Sequence, residues 1–194
     1  PYPFDKAGLV VREMADQLAL DLVDKDLVAD QIVLTVGYDI DNLRDPALRR
    51  QYSGEVKTDR YGRKIPKHAH GTANLKEHTS SAKQIVRAVT ELYDRITDRK
   101  LLVRRISMAA CHVLPRSEIR EEERFEQMDL FTDYTALQKE REKEQEEQER
   151  ERKMQEAVLE IKRKFGKNAI LKGMNLEEGP TARDRNDKIG GHKA

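Results

Sequence analysis

Fifteen consecutive residues, 139–153, carry no apolar side chain: seven are Glu, six are Lys or Arg, and two are Gln. Such a run cannot enter a core. All four residue types favour helix, and opposite charges recur three and four residues apart, so the run predicts a solvated helix over about 134–165. Without an apolar a/d seam it is not a conventional coiled coil. The chain therefore divides, with a domain of 1–116 bearing whatever core exists and a tail of 117–194 built around the charged helix. Met154, Val158, Ile161 and Phe165 restore a short apolar stripe at the end of that helix. Gly173, Gly179, Pro180, Gly190 and Gly191 then mark 168–194 as a flexible end.

Within the first part, Val11, Met14, Ala15, Leu18 and Leu22 recur at helical spacing over 7–23, with Asp5 as candidate N-cap. Residues 31–38 alternate Ile32, Leu34, Val36 and Tyr38 with Val33, Thr35 and Gly37, the signature of a strand. Pro46, Gly54, Gly62 and Pro66 interrupt 44–67, which reads as a long mobile connection. Residues 68–75 form a second strand with Gly71 as a bulge, and 101–114 a third, largely buried one. Between them Ser81 and Gln84 cap a second helix facing inward through Ile85, Val86, Val89, Leu92, Tyr93 and Ile96. Helix, strand, strand, helix, strand is a ferredoxin-like α+β order with its first strand missing ahead of Pro1. Both helices would cover one face of an antiparallel sheet and leave the other open.

Catalytic patterns are absent. There is no phosphate loop, nucleophile elbow or Cys-x-x-Cys pair. His68, His70 and His78 lack the remaining ligands of a metal site, and Asp39 and Asp41 read as turn residues, so no metal, cofactor or catalytic residue is assigned to this chain. A single cysteine, Cys111, precludes an internal disulfide and fits a reducing cytoplasm. No apolar run approaches membrane-spanning length, so no membrane partner is expected.

Charge is more informative. The net charge is only +1, yet 44–76 holds nine Lys or Arg against three Asp or Glu. A basic segment inside a neutral chain suggests a surface for a polyanion. Arg60, Arg63, Lys64 and Lys67 lie beside the second strand, which offers Thr72 and Asn74 as polar contacts for phosphates. Arg104 and Arg105 are adjacent on the last strand, so strict alternation sends one to each face. In the tail, Gln127-Met-Asp-Leu130-Phe131 is an apolar island between charged flanks, suited to docking in a partner's groove.

These stretches resemble a known family. Val11-Arg-Glu-Met-Ala-Asp-Gln-Leu18, Asp30-Gln-Ile-Val-Leu-Thr-Val-Gly-Tyr-Asp39 and Leu102-Val-Arg-Arg-Ile-Ser107 are similar to the C-terminal little-finger domain of Y-family translesion DNA polymerases. The match is to the UmuC/ImpB/MucB/SamB type, in its Gram-positive branch. The resemblance implies a non-catalytic domain laid against double-stranded primer–template DNA, with His68, His70, Thr72, Asn74, Arg104 and Arg105 on the DNA side. It also implies that the polymerase's carboxylates, with their magnesium, lie upstream, and that this chain is a piece of that larger enzyme. Gln127, Leu130 and Phe131 resemble the peptide that tethers bacterial polymerases to the sliding clamp. The rival reading is a protein-interaction module using the charged helix and its apolar stripe.

Overall fold

A computed structural model describes residues 1–119, 134–189 and 192–193. The order is α1 (Phe4–Asp24), β1 (Leu27–Tyr38), α2 (Asp41–Arg44), α3 (Pro46–Gln51), β2 (Val56–Thr58), β3 (Lys64–Pro66), β4 (Ala69–Thr79), α4 (Ala82–Ile96), β5 (Val103–Cys111) and β6 (Leu114–Pro115). The tail carries α5 (Tyr134–Phe165), α6 (Ala182–Asn186) and the short pair β7 (Lys188–Ile189) and β8 (His192–Lys193).

The main sheet runs β4-β1-β5, with β1 antiparallel to both neighbours and β6 pairing the start of β1. β4 and β5 are therefore parallel to each other, and α4 crosses between them over one face, beside α1. Alternation along β1 decides which side that is. Ile32, Leu34, Val36 and Tyr38 point to the helices and are buried, whereas Gln31, Val33, Thr35 and Gly37 face the other way and are partly exposed. Val11, Ala15, Ala19 and Leu22 of α1 and Ile85, Val89, Leu92 and Tyr93 of α4 close the core against that inner row. Ser81 caps α4 by accepting from the Gln84 amide. Tyr93 stacks on Phe4 with ring centroids 4.7 Å apart and donates its hydroxyl to the Phe4 carbonyl, tying the two helices together. Beyond β5, Tyr2 exchanges two 2.8 Å backbone bonds with Val103, in the place where the sequence leaves room for a first strand.

Local readings differ in five places. Pro3, not Asp5, holds the N-cap position of α1, because the helix already begins at Phe4. Gly71 sits in regular register opposite Leu34, so it is no bulge; a Cβ there would lie 2.9 Å from Leu92 and 3.1 Å from Ile96, and glycine lets α4 approach the sheet. β5 is an edge strand, and only Val103 of it is fully buried. Residues 44–67 are not a featureless loop. Asp45 caps α3, and the Asp59 side chain folds the chain into the β2–β3 hairpin.

The tail is the fifth difference. Glycine content alone marks it as flexible, but folded polar contacts bind it to the helical layer. Glu151 caps the start of α4, accepting from the Lys83 amide at 2.9 Å and the Ser81 hydroxyl at 2.6 Å. Gln155 is buried and donates to the Ser80 carbonyl, and Arg152 pairs with Asp26 at 2.8 Å. Further along α5, burial holds the Lys162 ammonium below its ordinary pKa. Met154 and Phe165, the ends of the expected apolar stripe, are instead 61% and 75% exposed. After α5, Lys172 pairs with Asp16, and Glu13 of α1 accepts from the Asn175 side chain and from the Thr181 and Ala182 amides at the start of α6. These anchors lie on α1, at the start of α4 and in the turns beside them, and none of them, among the described residues, lies on the open side of the sheet.

Candidate nucleic-acid interface

The pairing register arranges the open face in rows. Asn74, Gln31 and Cys111 form one row; Thr72, Val33 and Ala109 the next; His70, Thr35 and Ser107 the third; and Gly37 with Arg105 the last. Rows recur every ~7 Å along strands ~4.8 Å apart, giving a shallow polar grid. Side chains across strands are already paired: Gln31 Nε2 donates to Asn74 Oδ1 at 3.0 Å, and Thr35 Oγ1 and His70 Nδ1 share a 2.9 Å hydrogen bond. His68, one residue ahead of β4, is exposed at the end of the same side.

A register break shapes the final row. Gly37 pairs with Arg105 but Tyr38 pairs with Val103, so Arg104 is the extra residue of a bulge. Strict alternation therefore fails here, and both arginines are exposed rather than one facing each side. The buried Asn42 side chain holds this bend. Its amide donates to the Leu102 and Asp39 carbonyls, both at 2.9 Å, and its oxygen accepts from the Leu102 amide at 2.8 Å. Asp39, also buried, accepts from the Asp41 amide through one oxygen and faces Arg104 Nε at 3.8 Å through the other. Tyr38 adds its hydroxyl as acceptor for the Asp98 amide, and its burial raises the phenol pKa.

The β2–β3 hairpin carries the remaining cations. Strand β3 packs against α2, just after Asp39, and against β1, which brings the hairpin to the Arg104 end of the sheet. Asp59 Oδ1 accepts from the Tyr61 and Arg63 amides, both at 2.9 Å, and Oδ2 binds the Arg63 guanidinium at 2.7–2.8 Å. That guanidinium, with the backbone donors behind it, holds the Asp59 carboxyl below the usual range. Gly62, at φ +76°, closes the turn. Lys67 is paired with Glu55 at 2.7 Å, an exposed contact of little net strength that a phosphate could replace. Lys57, Lys64 and Arg105 have no ion pair among the described residues.

Ten expected contact residues thus fall into three adjoining groups. His68, His70, Thr72 and Asn74 follow β4 along the open face, Arg104 and Arg105 sit at the bulge, and Arg60, Arg63, Lys64 and Lys67 lie on or beside the hairpin. Sequence reasoning missed Gln31 and Ser107, which strand parity alone could have placed on the polar side. Asn42 gave no signal, since its role depends on a partner sixty residues away. Gln127, Leu130 and Phe131 lie outside the described residues. No group of His, Cys, Asp or Glu suited to a metal occurs among the described residues, and none of their helices is long and apolar enough to cross a membrane.

A family model described as the impB/mucB/samB family C-terminal domain matches residues 4–130. No curated protein matches the chain.

Proposed function

The chain belongs to the impB/mucB/samB family C-terminal domain, a domain of Y-family DNA polymerases, and on that premise we propose that it grips duplex DNA for translesion synthesis. The supporting observation is the polar sheet face, left open by the described residues and joined to the Arg104–Arg105 bulge and the basic hairpin. Cations and small hydroxyl or amide side chains on an exposed sheet are the groups that meet phosphates without reading sequence. Duplex DNA lies across the rows, with Thr72, Asn74, Gln31 and Ser107 as hydrogen-bonding partners and Arg105 and Lys64 as counter-charges. Nucleotide addition, with its magnesium, belongs to an upstream part of the parent enzyme, so this chain alone does not extend a primer.

Gln127, Leu130 and Phe131 serve as the sliding-clamp tether. A tether multiplies local concentration at DNA without adding a contact to it. Replacing Leu130 and Phe131 with Ala abolishes clamp binding and leaves duplex affinity unchanged; clamp binding that survives the double change refutes this role.

Charge reversal tests the DNA surface. Thr72→Glu places a carboxylate in the centre of the open face and is expected to remove duplex binding, while Lys83→Glu on the helical side leaves it intact. Equal effects of the two would refute the assignment. The exposed Met154 and Phe165 favour a second role for α5 as a protein contact, and DNA binding unaffected by loss of both Arg104 and Arg105 would move the account to that reading.

A further inference from the structure

The hairpin tip is more elaborate than a basic loop requires. Tyr61 is 65% exposed and rests on no apolar neighbour of the core cluster, so it adds little to folding. The turn itself is set by Asp59 and Gly62. Yet the guanidinium carbons of Arg60 and Arg63 lie 4.7 and 5.0 Å from the Tyr61 ring centroid. Arg60 also donates to the Tyr61 hydroxyl at 2.6 Å. Two cations therefore flank an exposed aromatic ring, on a backbone pinned by one carboxylate.

When a guanidinium swings from the ring to a phosphate, the exposed ring offers a π-face to another flat group. Stacking of bases on such rings tolerates any sequence and is strengthened by adjacent arginines, whose charges match the flanking phosphates. Within a duplex the base faces are occupied by their neighbours, so only an unpaired base can accept the ring. The hairpin also packs through β3 against α2, which follows just after Asp39 at the Arg104 end of the sheet. Resting on the DNA-binding reading above, we propose that Tyr61 stacks on an unpaired base where the duplex becomes single-stranded, with Arg60 and Arg63 closing on the phosphates beside it.

The test compares a blunt duplex with the same duplex carrying a short single-stranded overhang. One stacked base is worth about 1–3 kcal/mol, so Tyr61→Ala should weaken overhang binding by ~5- to ~150-fold while blunt-duplex affinity stays within about twofold. Tyr61→Phe keeps the preference. The chain has no Trp, so Tyr61→Trp provides a single reporter whose emission should be quenched by the overhang substrate and not by the blunt one. Equal loss on both substrates, or none, or an unquenched tryptophan in a protein that binds duplex, overturns the stacking proposal alone. A wild-type chain that binds neither DNA overturns the underlying reading as well.

Discussion

Replacing Glu13 with Ala removes the anchor that holds the end of the chain to α1. The carboxylate is almost fully buried and accepts from Asn175 Nδ2 at 2.6 Å, from the Thr181 amide at 2.8 Å and from the Ala182 amide at 3.1 Å, with Arg185 at 3.4 Å. Capping two amides at the start of α6 is worth about 0.5–2 kcal/mol. The charge-assisted bond to Asn175 adds about 1.5–3 kcal/mol. On opening, the freed amides regain water, so the combined loss is about 3 kcal/mol, on the order of 100-fold in the population of the detached tail. Native-state hydrogen exchange should show residues 181–186 exchanging that much faster, and trypsin should cut sooner at Lys172 and Arg183. Glu13 is not part of the apolar cluster, so exchange in β1 and β4 should stay nearly unchanged. Unaltered protection at 181–186 would refute the anchor. Loss of protection throughout β1 and β4 would show instead that Glu13 supports the core.

Gly71→Ala forces a methyl toward the buried Leu92 and the half-buried Ile96 and should cost about 1–3 kcal/mol, read as a lowered denaturation midpoint; a neutral result would mean that α4 can shift away freely. Asn42→Ala strands the Leu102 amide and carbonyl and should cost about 2–4 kcal/mol. It should also weaken DNA binding through disorder of the Arg104 bulge, and full affinity would dissociate the bulge from the interface. The hairpin should respond to acid. Because Arg63 lowers the Asp59 pKa, the carboxylate's contribution is fully present above the ordinary aspartate range and is lost as pH falls through the lowered value. The Tyr61 ring resonances should stay constant from neutrality to about pH 4 and move only below it; a transition near neutrality would contradict that sign.

Period and parity made much of the domain readable. The 3.6 spacing of Val11, Ala15 and Leu22 and the twofold alternation of Ile32, Leu34 and Val36 gave the correct buried faces. Parity also put His70, Thr72 and Asn74 together, because a regular strand leaves no other choice. It failed at Arg104, where the bulge adds a residue that no local pattern announces. Glycine and proline in 44–67 were visible as chain breaks, but whether breaks make a loop or a hairpin depends on the side-chain bonds of Asp59. The tail was misread for a related reason. Its anchors are single polar residues, Glu13, Asp16 and Glu151, whose partners lie far along the chain, and hydrophobic periodicity is blind to them.

The most direct test of the account is the salt dependence of duplex binding. Roughly five phosphates met by the hairpin, the bulge and the open face predict a slope of about −4 to −5 in log affinity against log salt, at ~0.9 per phosphate. Replacing Arg104 and Arg105 together with Ala should reduce the magnitude of that slope by about 2 and weaken binding on every sequence alike. A flat response in the wild-type chain, or a steep one that the double substitution leaves unchanged, would contradict the claim that this face holds DNA.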